Sequence, residues 1–191
     1  KNAASKPWKG RQLYHLAKLL KVNAILELGT NVGIGTAYLA ASRPNARVIT
    51  VEGDPSLNKI ARAIHDKLNL KNVIYHTGEF SEVLPEILNR LTTPLDLVYL
   101  DGNHRRDATL DYLALIRPSL ASKGAIIVDD INWSDGMLEA WDTIISLPWI
   151  NWSLNLGQYG IVFWDTSAVE APQHLTYIDY KYKPWRIGLF G

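Results

Sequence analysis

Cysteine is absent from this 191-residue chain, which removes disulfides, thiolate zinc sites and a cysteine nucleophile while leaving the compartment open. Charge of one sign is lacking as well. Lys and Arg number 20 against 19 Asp and Glu, a formal net charge of +1, so the surface carries no global field for nucleic acid or an anionic membrane. Nucleic acid is therefore not an expected partner, and a small molecule is. No apolar run approaches the roughly 20 residues that span a bilayer, and the opening KNAASKPWKG has no signal-peptide core. The cytoplasm is the default expectation. The first residue is Lys rather than Met, which leaves room for residues upstream.

What is present is apolar and periodic. With 47% hydrophobic residues the chain can bury one sizeable core. One domain is expected over residues 1–191, with its core at about 10–165 and a tail over 166–191. Leu13, Leu16, Ala17 and Leu20 repeat at helical spacing, giving a helix over about Arg11 to Leu20. Short apolar runs then alternate with amphipathic segments. Strands are expected at Ala24–Leu28, Arg47–Glu52, Val73–His76, Leu95–Leu100 and Ala125–Val128. Helices are expected at Thr36–Ser42, after the Asp54-Pro55 start signal, over Phe80–Leu91 with an interruption at Pro85, and over Ala108–Ile116 and Met137–Ile145. Trp152–Leu156 and Ile161–Trp164, separated by Gly157-Gln158-Tyr159-Gly160, read as an antiparallel hairpin. The alternation implies an α/β, Rossmann-like doubly wound, mostly parallel seven-stranded sheet with that hairpin at one edge.

The loop after the first strand carries the most information. A glycine cluster between a buried strand and a helix lets a ligand approach the backbone near unpaired helix N–H donors; a tight turn needed only for helix–sheet packing is the alternative. The dinucleotide register fails, because Asn31 stands where Gly-x-Gly-x-x-Gly needs its second glycine. Glu52, an isolated acid ending the second strand, is placed to accept both hydroxyls of a ribose.

The run Glu27-Leu28-Gly29-Thr30-Asn31-Val32-Gly33-Ile34-Gly35-Thr36 resembles the acid-x-Gly-x-x-x-Gly-x-Gly pattern of class I S-adenosylmethionine-dependent methyltransferases, in particular the catechol and caffeoyl-CoA O-methyltransferase branch. The resemblance implies S-adenosylmethionine as cofactor, with Glu27, Gly29, Thr30, Asn31, Gly33, Gly35 and Thr36 around its methionine part. It implies Glu52 and Gly53 at the ribose, and Gly78, Glu79 and Phe80 at the adenine edge, where the family usually has Gly-Asp-Ala. Asp101, at the end of the fourth strand, joins the cofactor set.

Asp101 and the pair Asp129-Asp130 end strands four and five, which in open parallel sheets face one crevice. Converging carboxylates repel, and a hard divalent cation would relieve that. The catechol-type enzymes hold a metal with an Asp after strand four and Asp-Asn after strand five. By that resemblance Asp101, Asp129 and Asp130 are candidate ligands for Mg²⁺ or another divalent cation. Asp130 departs from the family Asn, and Asn132 is a substitute two residues on; capping of the next helix is the other reading of Asp129 or Asp130. His104 stands where catechol-type enzymes carry a basic lysine. An imidazole's ordinary pKa near ~6.5 suits proton abstraction, so His104 and Asp101 are the candidate catalytic residues, against a loop-holding role for the histidine. Arg105 and Arg106 read as a solvated charge pair or as contacts to an acidic substrate.

The chain has 7 tryptophans. Trp133 follows the paired Asp residues and is placed to wall an acceptor pocket, whereas Trp141, Trp149, Trp152 and Trp164 read as packing. The stretch from Tyr177 to Arg186 interleaves aromatics with bases, as single-stranded nucleic-acid grooves do, but is expected to pack on the domain or across a homodimer. As a whole the chain resembles small bacterial methyltransferases with a Val-Asp-Asp-Ile-x-Trp-Ser motif. The activity implied is methyl transfer, with oxygen of a small-molecule hydroxyl as acceptor. The alternatives are a non-catalytic cofactor-binding or assembly module and an aminopropyl-type transferase.

Overall fold

A computed structural model describes residues 7–169 and 171–177. Eight strands form one sheet in the order β3-β2-β1-β4-β5-β7-β6-β8. The first five are β1 (Ala24–Leu28), β2 (Arg47–Glu52), β3 (Val73–Thr77), β4 (Leu95–Leu100) and β5 (Leu120–Asp129), all parallel. Then β7 (Tyr159–Asp165) runs antiparallel between β5 and β6 (Trp152–Asn155). The doubly wound sheet and the C-terminal hairpin are as the periodicity implies.

Side-chain alternation divides the core into two layers. Leu26, Leu28, Val98, Leu100, Ile126 and Val128 pack against α4 (Phe80–Asn89), α5 (Arg106–Ile116) and α6 (Asp135–Ile145). Ile25, Leu97, Tyr99, Ala125 and Ile127 face α1 (Pro7–Leu20) and α2 (Ile34–Ser42). Because both faces are covered, β1 is buried along its whole length, which is why its sequence is a continuous apolar run rather than an alternating one. The single polar residue in that run, Glu27, is buried with it. In α3 (Pro55–Lys67), Asp54 caps the first turn by accepting from Ser56 N at 2.7 Å, with Pro55 at the start.

Three elements differ from expectation. Helix α4 continues through Pro85; the proline removes one rung, while Leu84 and Ile87 on either side of it are buried in the core and hold the segment helical. Strand β5 starts at Leu120 rather than Ala125, because β7 pairs back along it to Lys123 and β4 meets it at Leu120. An eighth strand, β8 (Gln173–Thr176), pairs in parallel with β6 inside the segment expected to be tail. All four of its residues are exposed, so no buried face imprints an alternating pattern on it. The remainder of the aromatic and basic stretch, beyond Tyr177, lies outside the described residues. Among the described residues no helix is long and apolar enough to cross a membrane.

Sheet order reverses at β1, which lies between β2 and β4. There Gly29 adopts φ +104°, and a Cβ on it would stand 2.1 Å from the carbonyl oxygen of Asp101. Gly29→Ala is expected to cost about 3 kcal/mol or more, combining positive-φ strain with a clash against backbone. Gly157, also at positive φ but with nothing within 4 Å of an added Cβ, is the control, and its alanine variant is expected to lose about 1 kcal/mol. Urea midpoints of the two variants check the difference.

Candidate functional site

The loops after β1 and β4 leave the reversal point toward helices on opposite faces, which opens a crevice at the carboxyl edge of the sheet. The first loop is tied to β2: Gly29 N and Thr30 N both donate to Val51 O, at 2.9 and 3.2 Å. Asn31 takes the left-handed conformation, φ 50°, and its side-chain oxygen accepts from Val32 N at 2.7 Å. Asn31 N donates to Glu52 Oε2 at 2.7 Å, and Asp54 N donates to Glu52 Oε1 at 3.0 Å. The half-buried Glu52 carboxylate is thus oriented by two backbone donors, with lone pairs left for further hydroxyls.

Gly33 begins α2 at φ 82°, with no side-chain cap on the helix N-terminus. Its carbonyl accepts from Nε2 of the buried His65 at 2.7 Å, and Nδ1 of that ring accepts from the Tyr75 hydroxyl at 2.5 Å. The carbonyl can only accept, so Nε2 carries a hydrogen, and a neutral ring leaves Nδ1 free to accept from the hydroxyl. Burial, which holds the His65 pKa below its ordinary value, agrees. A Cβ on Gly33 would meet His65 Nε2 at 2.6 Å, so packing alone accounts for this glycine, as it does for Gly29.

Beneath the loop, Glu27 Oε2 accepts from the hydroxyls of Thr36 and, at 2.7 Å, Thr50; Thr50 in turn accepts from Thr30 at 2.6 Å. Of the residues expected around the cofactor, Glu27, Thr30 and Thr36 therefore turn their side chains inward, and they support the loop from below. Gly35 is buried in the first turn of α2. At the far side, Gly78 N donates to Glu52 O at 3.0 Å, Glu79 begins α4, and the Phe80 ring packs over Gly102 and edge-on to Tyr112. Gly53 has open space, its nearest neighbour being Glu79 Oε1 at 3.8 Å from an added Cβ. Glu52, Gly53, Gly78, Glu79 and Phe80 thus come together along one side of the crevice.

The carboxylates at the ends of β4 and β5 do not form one set. The Tyr99 hydroxyl donates to Asp101 Oδ2 at 2.7 Å and lies 3.4 Å from Asp129 Oδ2. Asp129 also takes an ion pair from Lys9 of α1, both residues being buried. Burial pushes the Asp101 carboxyl well up, and the neighbouring Asp129 adds to the rise. Burial also acts to raise Asp129, but the hydrogen bond with Asp101 and the Lys9 ammonium outweigh it and hold Asp129 below its ordinary value. The two carboxyls are thus shifted in opposite directions, Asp101 toward its neutral form and Asp129 toward its charged one. Asp130, at φ 51°, points elsewhere, with its Oδ2 3.7 Å from His104 Nε2. Asn132 donates to the Gly157 carbonyl in the hairpin.

The expected metal set is accordingly split, and the donors present do not fit a divalent cation: an ammonium already stands on Asp129, and Asp130 turns away from the Asp101–Asp129 pair. Among the described residues no group of three or more His, Asp or Glu side chains is placed to hold an ion. His104 lies beside Trp133, ring centroids 6.3 Å apart, and Trp133 is 71% exposed. Arg106 pairs with Asp107 and Glu139, a surface arrangement.

Sequence reasoning missed Lys9, Thr50, His65 and Tyr99. His65 falls within the helix expected after Asp54-Pro55 and Tyr99 within the fourth strand, and only the folded sheet brings them to the loop and to the carboxylates.

Burial raises the Glu27 pKa from 4.5 to about 7, against the lowering effect of its two threonine donors. The folded chain thus binds a proton more tightly than the unfolded one, so the contribution is full below the unfolded pKa and lost as pH rises through the folded one. The loss amounts to about 3 kcal/mol. Urea unfolding at about pH 5 and about pH 8 should show wild type weakening by more than Glu27→Gln, whose amide does not titrate.

Residues 26–131 match the family described as a methyltransferase domain. Catechol O-methyltransferase of Niastella koreensis is 32% identical over 132 residues, 68% of this chain and 58% of the relative. Catechol O-methyltransferase of Mycobacterium tuberculosis is 30% identical over 123 residues, 63% of this chain and 53% of that protein. The chain thus spans little more than half the length of these curated relatives. An O-methyltransferase of Streptomyces achromogenes, solved in complex with SAM, shares the fold with a TM-score of 0.77 at 21% identity, over 86% of this chain and 82% of that one. More than half of the chain falls within the match, and the reversal-point loop and β4–β5 carboxylates lie inside it: the chain belongs to the methyltransferase domain family.

Proposed function

We propose that this chain is an S-adenosylmethionine-dependent O-methyltransferase that acts on a small-molecule hydroxyl. The observation that carries the reading is Glu52, whose carboxylate is fixed by Asn31 N and Asp54 N at the end of β2, beside the loop at the reversal point. A carboxylate oriented in this way accepts vicinal hydroxyls of a ribose, which the sheet edge alone would not select. Gly53, Gly78, Glu79 and Phe80 continue that side of the crevice and fit an adenine, while Gly29, Asn31 and Gly33 bring loop backbone to the methionine end. S-adenosylmethionine, when bound, supplies an electrophilic methyl group on a sulfonium.

The chain's own groups then have to position a nucleophile and remove its proton. His104 is the base in this reading: its Nε2 faces Asp130 Oδ2 at 3.7 Å, so the imidazolium formed on taking a hydroxyl proton gains a nearby countercharge. Trp133 offers an exposed aromatic face next to His104 and suits an aromatic acceptor. The catechol O-methyltransferase names of the curated relatives support an acceptor of that kind. Asp101 accepts from the Tyr99 hydroxyl and holds the Tyr99–Asp129 corner in place. Most of the rate gain in such a site comes from alignment of the two reactants.

Calorimetric titration with S-adenosylhomocysteine tests the cofactor assignment. Wild type is expected to bind, and Glu52→Ala to bind at least about tenfold more weakly, the effect of losing charged hydrogen-bond acceptors. Folded wild type that binds neither S-adenosylhomocysteine nor S-adenosylmethionine would refute the assignment. For the base, His104→Gln is expected to lower kcat toward catechols by about 10²-fold or more with little change in cofactor affinity; an unaltered kcat would remove His104 from the reaction.

A further inference from the structure

Buried carboxyls at the ends of β4 and β5 need a compensating charge, and the fold provides a cation from within. Lys9 lies 120 residues from Asp129 in sequence, yet its ammonium pairs with Asp129 Oδ2 where only 9% of the lysine side chain and 2% of the aspartate side chain meet solvent. The lysine is not placed by chance flexibility. Its helix is fixed on both sides: Gly10 lies so close to Tyr38 of α2 that an added Cβ would stand 2.2 Å from that ring, and Trp8 stacks on Tyr159 with centroids 6.3 Å apart. One turn on, Gln12 accepts from the Tyr159 hydroxyl, and Tyr159 pairs with Asp129 in the β5–β7 register. A single helix turn therefore grips the residue opposite Asp129 and delivers a positive charge to Asp129 itself.

We propose that the Lys9 ammonium takes the charge-neutralising place of a divalent cation at Asp101 and Asp129, so that this site works without a bound metal. The remaining carboxylate is consistent with that arrangement. Asp130 stands off from the pair and faces His104 instead, which among the described residues leaves no third carboxylate beside Asp101 and Asp129, whereas hard cations favour sites rich in anionic oxygen. An ammonium needs far less: it donates to Asp129 Oδ2, while the Tyr99 hydroxyl donates to Asp101 Oδ2. The inference rests on the methyltransferase reading only for the chemistry of the site. Its test needs no methyl acceptor, so failure of one is distinguishable from failure of the other.

Titration of the full chain with Mn²⁺, followed by electron paramagnetic resonance of the free ion, reads the claim directly. Wild type is expected to show no stoichiometric binding, and Lys9→Met to gain Mn²⁺ affinity by about tenfold or more once a positive charge is removed from beside the carboxylates. Lys9→Arg should exclude the ion as wild type does. One Mn²⁺ per wild-type chain, abolished by Asp129→Asn, would overturn the proposal, and so would folded Lys9→Met with no gain. Should Lys9→Met not fold, the double variant with Asp129→Asn decides: recovery of a cooperative thermal transition supports Lys9 as the partner charge of Asp129, and failure to recover it while Asp129→Asn alone folds counts against it.

Discussion

A parallel sheet gathers the ends of its strands on one edge, and in this chain those ends are acidic: Glu52 on β2, Asp101 after β4, Asp129 and Asp130 at β5. Carboxylates crowded into a half-buried crevice must each find compensation or lose their charge. Much of the site's detail follows from how that requirement is met. Glu52 takes two backbone N–H groups, Asp101 takes the Tyr99 hydroxyl and is pushed toward its neutral form, Asp129 takes an ammonium, and Asp130 faces an imidazole. Each solution recruits a different part of the chain, so the glycine loop, the first helix and the β4–α5 loop are bound together through charges rather than through apolar contact alone.

The same rule governs Glu27 inside β1. A carboxyl with no counter-cation nearby is tolerable in the interior because three threonine hydroxyls line up toward it and because its pKa has risen to about 7. That chain of hydroxyls joins β1, β2, the loop and α2. The acid of the glycine motif therefore acts on the loop from beneath, and its place in the motif reflects loop support as much as contact with a ligand.

Most of the fold could be read from the sequence because β1 to β5 are buried on both faces and their neighbouring helices on one. The apolar runs and the 3.6-residue periodicity record that burial. Pattern failed where burial is slight, at β8, and where tertiary packing overrides a local signal, at Pro85. The half of the candidate site built from Glu52, Gly53, Gly78, Glu79 and Phe80 was legible because these residues lie at or next to a strand end or a helix start, so order along the chain gives position in space. The other half was not. Lys9 reaches Asp129 across the whole fold, and the helix predicted from Arg11 omits the very turn that carries it; His65 reads as one more residue of an amphipathic helix until α3 is laid against Gly33.

The three aspartates also differ in what surrounds their compensating groups. Asp129 and Lys9 are both closed off from solvent, and the Asp101 carboxyl accepts from the Tyr99 hydroxyl beside them. Groups so enclosed exchange protons poorly with an incoming acceptor and serve to hold geometry. His104 and Asp130 are instead about a quarter exposed, with side-chain accessibilities of 28% and 24%, beside the open face of Trp133. Exchange of a proton with an acceptor hydroxyl and then with water requires access of this kind, and a second charge within a few ångströms to stabilise the imidazolium. The division of the aspartates thus separates an enclosed corner that fixes the sheet edge to α1 from an accessible pair, the one to which the proposed reaction assigns its acid–base work.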